Sequence, residues 1–277
     1  MYHDTNRPDK ARPFIGPNDI RLLSVLLPVY NEVATLRLIV DRVLASPVPV
    51  EMEVIGVDDG SRDGSWDLLE QLAAEDSRIK PIRHPRNRGK GAAIRTAIEH
   101  MTGQVAVVQD ADLEYNPAEY PALLAPILEG KADAVFGSRY AGLTRRVQPF
   151  WHTMVNQGLT LMSNMLNNLT LTDMETCYKM VRADVLKRLR LSSCTFTLEP
   201  EITCRLAQWG ARIHEVPISY DRRGYAQGKK IRARDGLKAL GQMFYTRLID
   251  RRFTEDEAYH RQIVAAPVEQ PAMRKAA

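Results

Sequence analysis

Apolar residues come in short runs along the first half of the chain, and each run is closed by a loop rich in acid, glycine or proline. The run LLSVLL predicts a buried strand over 22–27, closed by Pro28 and followed by a helix over 33–45. The next run, 52–57, enters Asp58-Asp59-Gly60-Ser61-Arg62-Asp63-Gly64 and leads to a helix over 65–75. A third strand over 79–83 precedes Gly89 and Gly91, which stand ahead of another helix. Val105–Val108 then runs into Asp110, Asp112 and Glu114. Pro117 and Pro121 bracket the entry of a helix ending near Glu129, and a strand over 132–136 ends in Gly137-Ser138-Arg139-Tyr140. Strands and helices alternating at these lengths predict an α/β fold with a mostly parallel central sheet and right-handed crossovers.

The second half reads differently. Trp151, Met154, Val155, Gly158, Met162, Met165, Leu166 and Leu169 recur at helical spacing, with Asn156, Gln157, Asn164, Asn167 and Asn168 on the other side and no charge between His152 and Asp173. Such a stripe fits a helix packed on the sheet, and it equally fits a helix lying in a membrane interface. A further helix is entered at Pro200, with Glu199 and Glu201 at its positive end. The last strand is expected over 213–220, and a basic loop over 222–230 leaves it. After Asp235 a final helix sets Leu237, Leu240, Phe244 and Leu248 on one face, with Lys238, Gln242, Arg251 and Arg252 around it. The expected organisation is a flexible arm over 1–20, one domain over 21–235, an amphipathic helix over 236–253 and a disordered tail over 254–277. No internal repeat is visible.

Composition narrows the class. With 277 residues, 44% hydrophobic and 26% charged, the chain can bury a full core. Cys177, Cys194 and Cys204 are odd in number and lack C-x-x-C spacing, which argues against a disulfide framework or a zinc site and for a reducing cytoplasm. No segment reaches the roughly 18 uninterrupted apolar residues of a membrane span, so work at a membrane is expected to be done from its surface. From Arg222 to Arg252 the chain carries ten Lys/Arg against two Asp, a segment that attracts phosphate or an anionic leaflet. Neither zinc-finger spacing nor an aromatic RNA-binding pattern accompanies it, so nucleic acid is not an expected partner.

Three places could carry chemistry. Carboxylates on alternate residues beyond a strand point to one side if the chain stays extended, and Asp110, Asp112 and Glu114 would then suit a divalent cation; a solvated acidic turn is the plain alternative. Asn87-Arg88-Gly89-Lys90-Gly91 lacks the third glycine of a dinucleotide fingerprint and the G-K-[ST] of a P-loop. It reads either as a basic anion-receiving helix entry or as an ordinary helix-entry turn. Arg139, at a strand end, is expected to face the same crevice, with a salt bridge to one of those acids as its structural alternative.

Taken in order, LPVYNE over 27–32, VDDGSRDGS over 57–65, NRGKGAA over 87–93, QDADLEY over 109–115 and GSRY over 137–140 resemble the family 2 glycosyltransferases of GT-A fold. The resemblance covers about residues 22–240, and TDMETCYK and RGYAQGKK bring it to the branch of dolichyl-phosphate mannose synthases and bacterial polyprenyl-phosphate glycosyltransferases. It implies that Pro28, Tyr30, Glu32 and Asp59 hold base and ribose, with Gly89, Lys90 and Ala111 completing the donor site. It implies Mg²⁺ or Mn²⁺ at Asp110, Asp112 and Glu114, the last standing where glutamine is usual. Arg139, Arg223, Tyr225 and Lys229 would meet the acceptor phosphate and donor diphosphate, with Asp110, Asp112 and Arg139 catalytic. The implied activity is inverting transfer of a hexose from a UDP- or GDP-sugar to a polyprenyl phosphate, by an enzyme peripheral on the cytoplasmic face of the membrane. A hydroxyl acceptor would instead need a carboxylate base, for which Glu175, Glu199 and Glu201 are candidates. A non-catalytic nucleotide-sugar binder is the remaining alternative.

Overall fold

The computed structural model describes residues 16, 19–142, 146–195, 197–222 and 233–250. Seven strands form one sheet in the order β3-β2-β1-β4-β6-β5-β7. They are β1 (Leu22–Val29), β2 (Glu51–Asp58), β3 (Ile79–Arg83), β4 (Val105–Val108), β5 (Ala134–Ser138), β6 (Lys179–Arg182) and β7 (Ile213–Pro217). The helices are α1 (Val33–Leu44), α2 (Ser65–Glu75), α3 (Lys90–His100), α4 (Tyr120–Leu128), α5 (Phe150–Asn167), α6 (Ala183–Leu186), α7 (Leu198–Trp209) and α8 (Ala233–Phe244), which continues into a π turn over Tyr245–Ile249.

The first half follows the predicted pattern. β1 pairs in parallel with β2 and β4, and β2 with β3, each connection passing through a helix. Apolar side chains occupy both faces of β1, β2 and β4, so these strands read as continuous apolar runs rather than alternating ones. β1 extends two residues past its expected end, through Pro28 to Val29, because proline forfeits only its own N–H and the neighbouring Val29 carbonyl still accepts from Asp59 at 2.8 Å.

The second half holds the one departure from parallel pairing in a sheet that is, as expected, mostly parallel. β6 enters between β4 and β5 and runs antiparallel to both. Its sequence, KMVR, gives no strand signal, yet all four residues are buried. Lys179 Nζ donates to the carbonyls of Met174 at 2.8 Å and Thr176 at 2.5 Å, and Arg182 pairs with Asp184 at 2.7 Å, so local partners satisfy the charges that burial strands. β5 starts two residues later than predicted because Asp133 is engaged by Arg212 at 2.8 Å at the strand entry. β7 stops at Pro217 rather than 220, and Ile218 closes the pairing with a bond to the Ser138 carbonyl at 3.0 Å. The final helix begins at Ala233, and the expected tail over 254–277 lies outside the described residues, as does most of the arm over 1–20.

Candidate active site

The loops that carry Asp58, Lys90, Asp110 and Arg139 leave the carboxyl ends of β2, β3, β4 and β5, and the 30–32 loop leaves β1, so the sheet delivers them to one edge. The loops after β1 and β2 are stitched together. Asn31, at φ 56°, donates its N–H to Ser61 Oγ at 2.9 Å and accepts from the Arg62 N–H at 2.9 Å, while the Glu32 N–H bonds Ser65 Oγ at 2.9 Å. Pro28, Tyr30 and Glu32 stand on this stitched rim, with Tyr30 exposed.

Asp59 does not present its carboxylate to the rim. It is buried, bonded by His84 Nδ1 at 2.7 Å, and it accepts the N–H groups of Arg88 at 2.9 Å and Gly89 at 2.7 Å. The anion received by the glycine loop is therefore the protein's own. Gly89 has φ 96°, and a Cβ there would collide with the Cys194 carbonyl, so this glycine serves close approach to the 193–195 segment. Beside Asp59, Asp58 is the acid that the sequence reading passed over. It is fully buried at the end of β2, one oxygen accepts from the Ser61 N–H at 3.1 Å, and the other, Oδ1, has no hydrogen-bond partner among the described residues. A buried unpaired carboxylate oxygen at a ligand rim fits an N–H donor from a nucleobase.

The side chain that the glycine loop does send into the site is Lys90. Its Nζ lies 2.8 Å from Asp110 Oδ1, 3.0 Å from Glu199 Oε1 and 3.4 Å from Cys177 Sγ. Burial works against its charge, but Asp110 foremost and Glu199 with it hold its pKa well above the ordinary lysine value. Glu199 is thus more than a dipole partner for α7, and its Oε2 is buried without a partner among the described residues. Glu201, the neighbouring candidate base, is closed off: it accepts the N–H groups of Ser192 at 3.0 Å and Ser193 at 2.7 Å and stands 3.6 Å from the buried Arg205.

Beyond Val108 the chain leaves the strand and turns, so the premise of alternate residues on an extended chain does not hold. Leu113 is left-handed at φ 64°, and the Glu114 N–H bonds Asp112 Oδ1 at 3.1 Å. Glu114 is aimed at Tyr220, whose hydroxyl donates to its Oε2 at 2.5 Å. Gln109 steadies the turn. Its Oε1 accepts from Tyr120 at 2.6 Å and Tyr178 at 2.7 Å, and its Nε2 donates to the Asp110 carbonyl at 2.9 Å. Among the described residues no three acids are gathered as a ligand cluster. The donor set still fits a hard divalent cation in kind, since all three candidate ligands supply carboxylate oxygen.

Arg139 pairs with none of these acids. Its Nε lies 2.6 Å and its Nη2 2.7 Å from the two oxygens of Asp173, a bidentate pair, and its guanidinium stands 5.1 Å from the Tyr220 ring centre. Asp173 also accepts from Asn156 of α5 at 3.1 Å. Asp173 and Tyr220 escaped the sequence reading, although Asp173 is the acid that ends the uncharged stretch and Tyr220 directly precedes the basic segment. Arg223, Tyr225 and Lys229 lie outside the described residues.

The sequence profile described as glycosyl transferase family 2 matches residues 24–190, the span that contains every one of these loops up to β6. The chain belongs to glycosyl transferase family 2. Within the family, an undecaprenyl-phosphate mannosyltransferase of Micrococcus luteus is 33% identical over 218 residues, covering 76% of this chain and 87% of the relative. A dolichol-phosphate mannosyltransferase of Pyrococcus furiosus is 26% identical over 210 residues, covering 75% of this chain and 58% of the relative. These relatives place the chain in the polyprenyl-phosphate branch of the family. Among solved structures, glucosyl-3-phosphoglycerate synthase of Mycobacterium tuberculosis, in complex with Mn²⁺, UDP and phosphoglyceric acid, superposes with a TM-score of 0.62 at 18% identity, covering 86% of this chain and 84% of that one. The same synthase has been crystallised with Mg²⁺ and UDP. At that identity the likeness speaks for the shared GT-A fold.

Proposed function

We propose that this family 2 enzyme transfers a hexose, with inversion, from a UDP- or GDP-sugar to a polyprenyl phosphate while seated peripherally on a membrane. The observation that carries the acceptor is the polarity of α5. Its polar side faces the protein: Thr160 and Ser163 are buried, Thr160 Oγ1 accepts the Met174 N–H at 3.1 Å, and Asn164 bonds both backbone groups of Leu171, at 2.8 and 3.0 Å. Much of its apolar side is bare, with Trp151 76%, Leu161 61% and Met165 72% exposed, while Leu159 and Leu166 pack against the core. α8 packs beside it and leaves Leu237, Leu248 and the following Ile249 exposed as well. An exposed apolar face of this size marks an interaction surface, and the excess of Lys/Arg that the sequence carries over 222–252 favours an anionic leaflet. The same helix holds Asp173 through Asn156, and Asp173 holds Arg139, so the proposed lipid-facing element and the proposed phosphate-facing arginine belong to one assembly.

In this reading Asp58 meets the base, while Asp110, Asp112 and Glu114 hold a divalent cation that neutralises charge developing on the leaving diphosphate. Lys90 keeps Asp110 and Glu199 in place beside it. The acceptor phosphate is already an anionic nucleophile, so Arg139 orients it and no general base is required.

A hydroxyl acceptor is the second reading, and Glu175 favours it. Burial and then the Glu199 carboxylate push its pKa up to about 7, a value suited to proton abstraction at neutral pH. The two readings separate on one experiment, turnover of UDP- and GDP-sugars with and without a polyprenyl phosphate, in wild type and Glu175→Gln. The lipid-phosphate reading expects an acid-labile product and turnover within a few-fold of wild type in the variant. An acid-stable glycoside, with turnover lowered by roughly 10²-fold or more, would transfer the assignment to a hydroxyl acceptor.

A further inference from the structure

His84, directly after β3, is a buried imidazole that the proposed chemistry does not use. Its ring joins two elements. Nδ1 lies 2.7 Å from Asp59 Oδ1, and Nε2 lies 2.9 Å from Thr96 Oγ1 in the second turn of α3. Asp59 Oδ1 also accepts the Arg88 N–H and Oδ2 the Gly89 N–H, so the carboxylate is an acceptor throughout and Nδ1 is the ring nitrogen that carries the proton. The loop clamped in this way has little room to shift. A Cβ on Gly60 would stand 2.7 Å from the Arg86 backbone carbon, and one on Gly91 would stand 2.5 Å from the Ser193 carbonyl oxygen, so the loop is held between the end of β2 and the 193–195 segment. Lys90 follows at once as the first residue of α3, and its ammonium reaches Asp110 and Glu199.

We propose that His84 is a positioning residue for Lys90, acting through Asp59. The inference rests on the reading that Lys90 serves the donor site. The imidazole N–H fixes how the buried carboxylate is turned, the carboxylate fixes the N–H groups of Arg88 and Gly89, and these set the direction in which α3 starts. A buried carboxylate that loses one of its donors turns toward whatever else can satisfy it, and the two backbone N–H groups turn with it. Lys90 is sensitive to such a shift, because its ammonium spans Asp110 at 2.8 Å and Glu199 at 3.0 Å and neither contact survives a displacement of about 1 Å intact. His84 and Asp59 thereby act on the site from behind the glycine loop, without touching a substrate.

Asparagine and glutamine separate the two ring nitrogens. The asparagine amide nitrogen, like Nδ1, is bonded to Cγ, whereas the glutamine amide nitrogen, like Nε2, lies one bond further out. His84→Asn therefore keeps a donor for Asp59, and His84→Gln keeps only a partner for Thr96. The readout in the full chain is a short pulse of acetic anhydride, with acetylation of Lys90 and of the buried Lys179 followed by peptide mass spectrometry. Lys179 is tied to the Met174 and Thr176 carbonyls, away from the loop, and reports any general loosening. His84→Gln is expected to raise Lys90 labelling by about tenfold or more, the scale of one charge-assisted hydrogen bond, with Lys179 unchanged, while His84→Asn stays within about threefold of wild type. Turnover of the nucleotide sugar should follow the same order, asparagine above glutamine, with kcat falling more than KM rises. Asp59→Asn approaches the contact from the other side and should raise Lys90 labelling with His84 in place, which keeps the test decisive if His84→Gln folds poorly. Lys90 labelling that is unmoved in these variants, rises equally in His84→Asn and His84→Gln, or rises only together with Lys179 overturns the positioning role and leaves the donor reading of Lys90 standing. Unchanged turnover in Lys90→Met removes Lys90 from the chemistry whatever the labelling shows, and the positioning role falls with it.

Discussion

Glu175 illustrates how much a single residue depends on partners distant in sequence. Burial disfavours its charge most, Glu199 adds to that, and Lys179 and Arg139 offset only part of it, leaving its pKa at about 7 against 4.5 for an ordinary glutamate. Between those values the folded chain binds a proton that the unfolded chain has released, so this group lowers stability as pH rises from about 4.5 through about 7, and above that its cost is constant. Glu175→Gln should therefore raise the melting temperature relative to wild type at about pH 8 and barely change it near pH 4. The gain expected is about 1–2 kcal/mol, after discount for a residue that is only half-buried. An equal effect at both values would show that the residue acts through shape alone. At this scale the positions of Asp110, Asp112 and Arg139 were legible, because an apolar run that stops abruptly announces a strand end. Their partners were not. Lys90 with Glu199, Arg139 with Asp173 and Glu114 with Tyr220 are joined across long stretches of chain, and no periodicity encodes such pairs.

Helix α5 shows the same limit for an element. The apolar stripe was readable from spacing; which side would face the protein was not, because that depends on what the neighbouring segment offers. The 171–174 segment offers unpaired backbone groups, and asparagine and threonine side chains satisfy them better than leucine could. Substitutions on opposite sides of the helix should therefore behave in reverse of the usual core rule. Trp151→Ser or Met165→Ser should change unfolding free energy by no more than about 0.5 kcal/mol in urea, while weakening sedimentation with vesicles. Asn164→Ala should cost about 1–3 kcal/mol and leave vesicle binding intact in the folded fraction. Substitutions of this kind are better probes than removal of α8, since that helix buries Ala239 and Met243, and Asp250 after it covers the buried Arg205.

For the whole molecule, the parallel half was legible and the antiparallel insertion was not: three strand-helix repeats announce β1 to β4, whereas four residues beginning with lysine and ending with arginine announce nothing. Charge is also a property at this scale. The ten Lys/Arg over 222–252 should make association with anionic vesicles fall steeply between low salt and about 0.5 M, while a weaker, salt-insensitive association with neutral vesicles persists through the apolar face. Salt-insensitive binding to both would assign the attachment to the apolar face alone. The inserted strand also sets an order of manufacture. β1, β2, β3 and β4 can pair with one another once the first 108 residues have left the ribosome. β5, complete at Ser138, has no strand to join until Lys179–Arg182 follows, since both of its neighbours are encoded later. During synthesis the nascent chain thus carries an apolar strand waiting for its partner, and that interval is when a chaperone would have the most to hold.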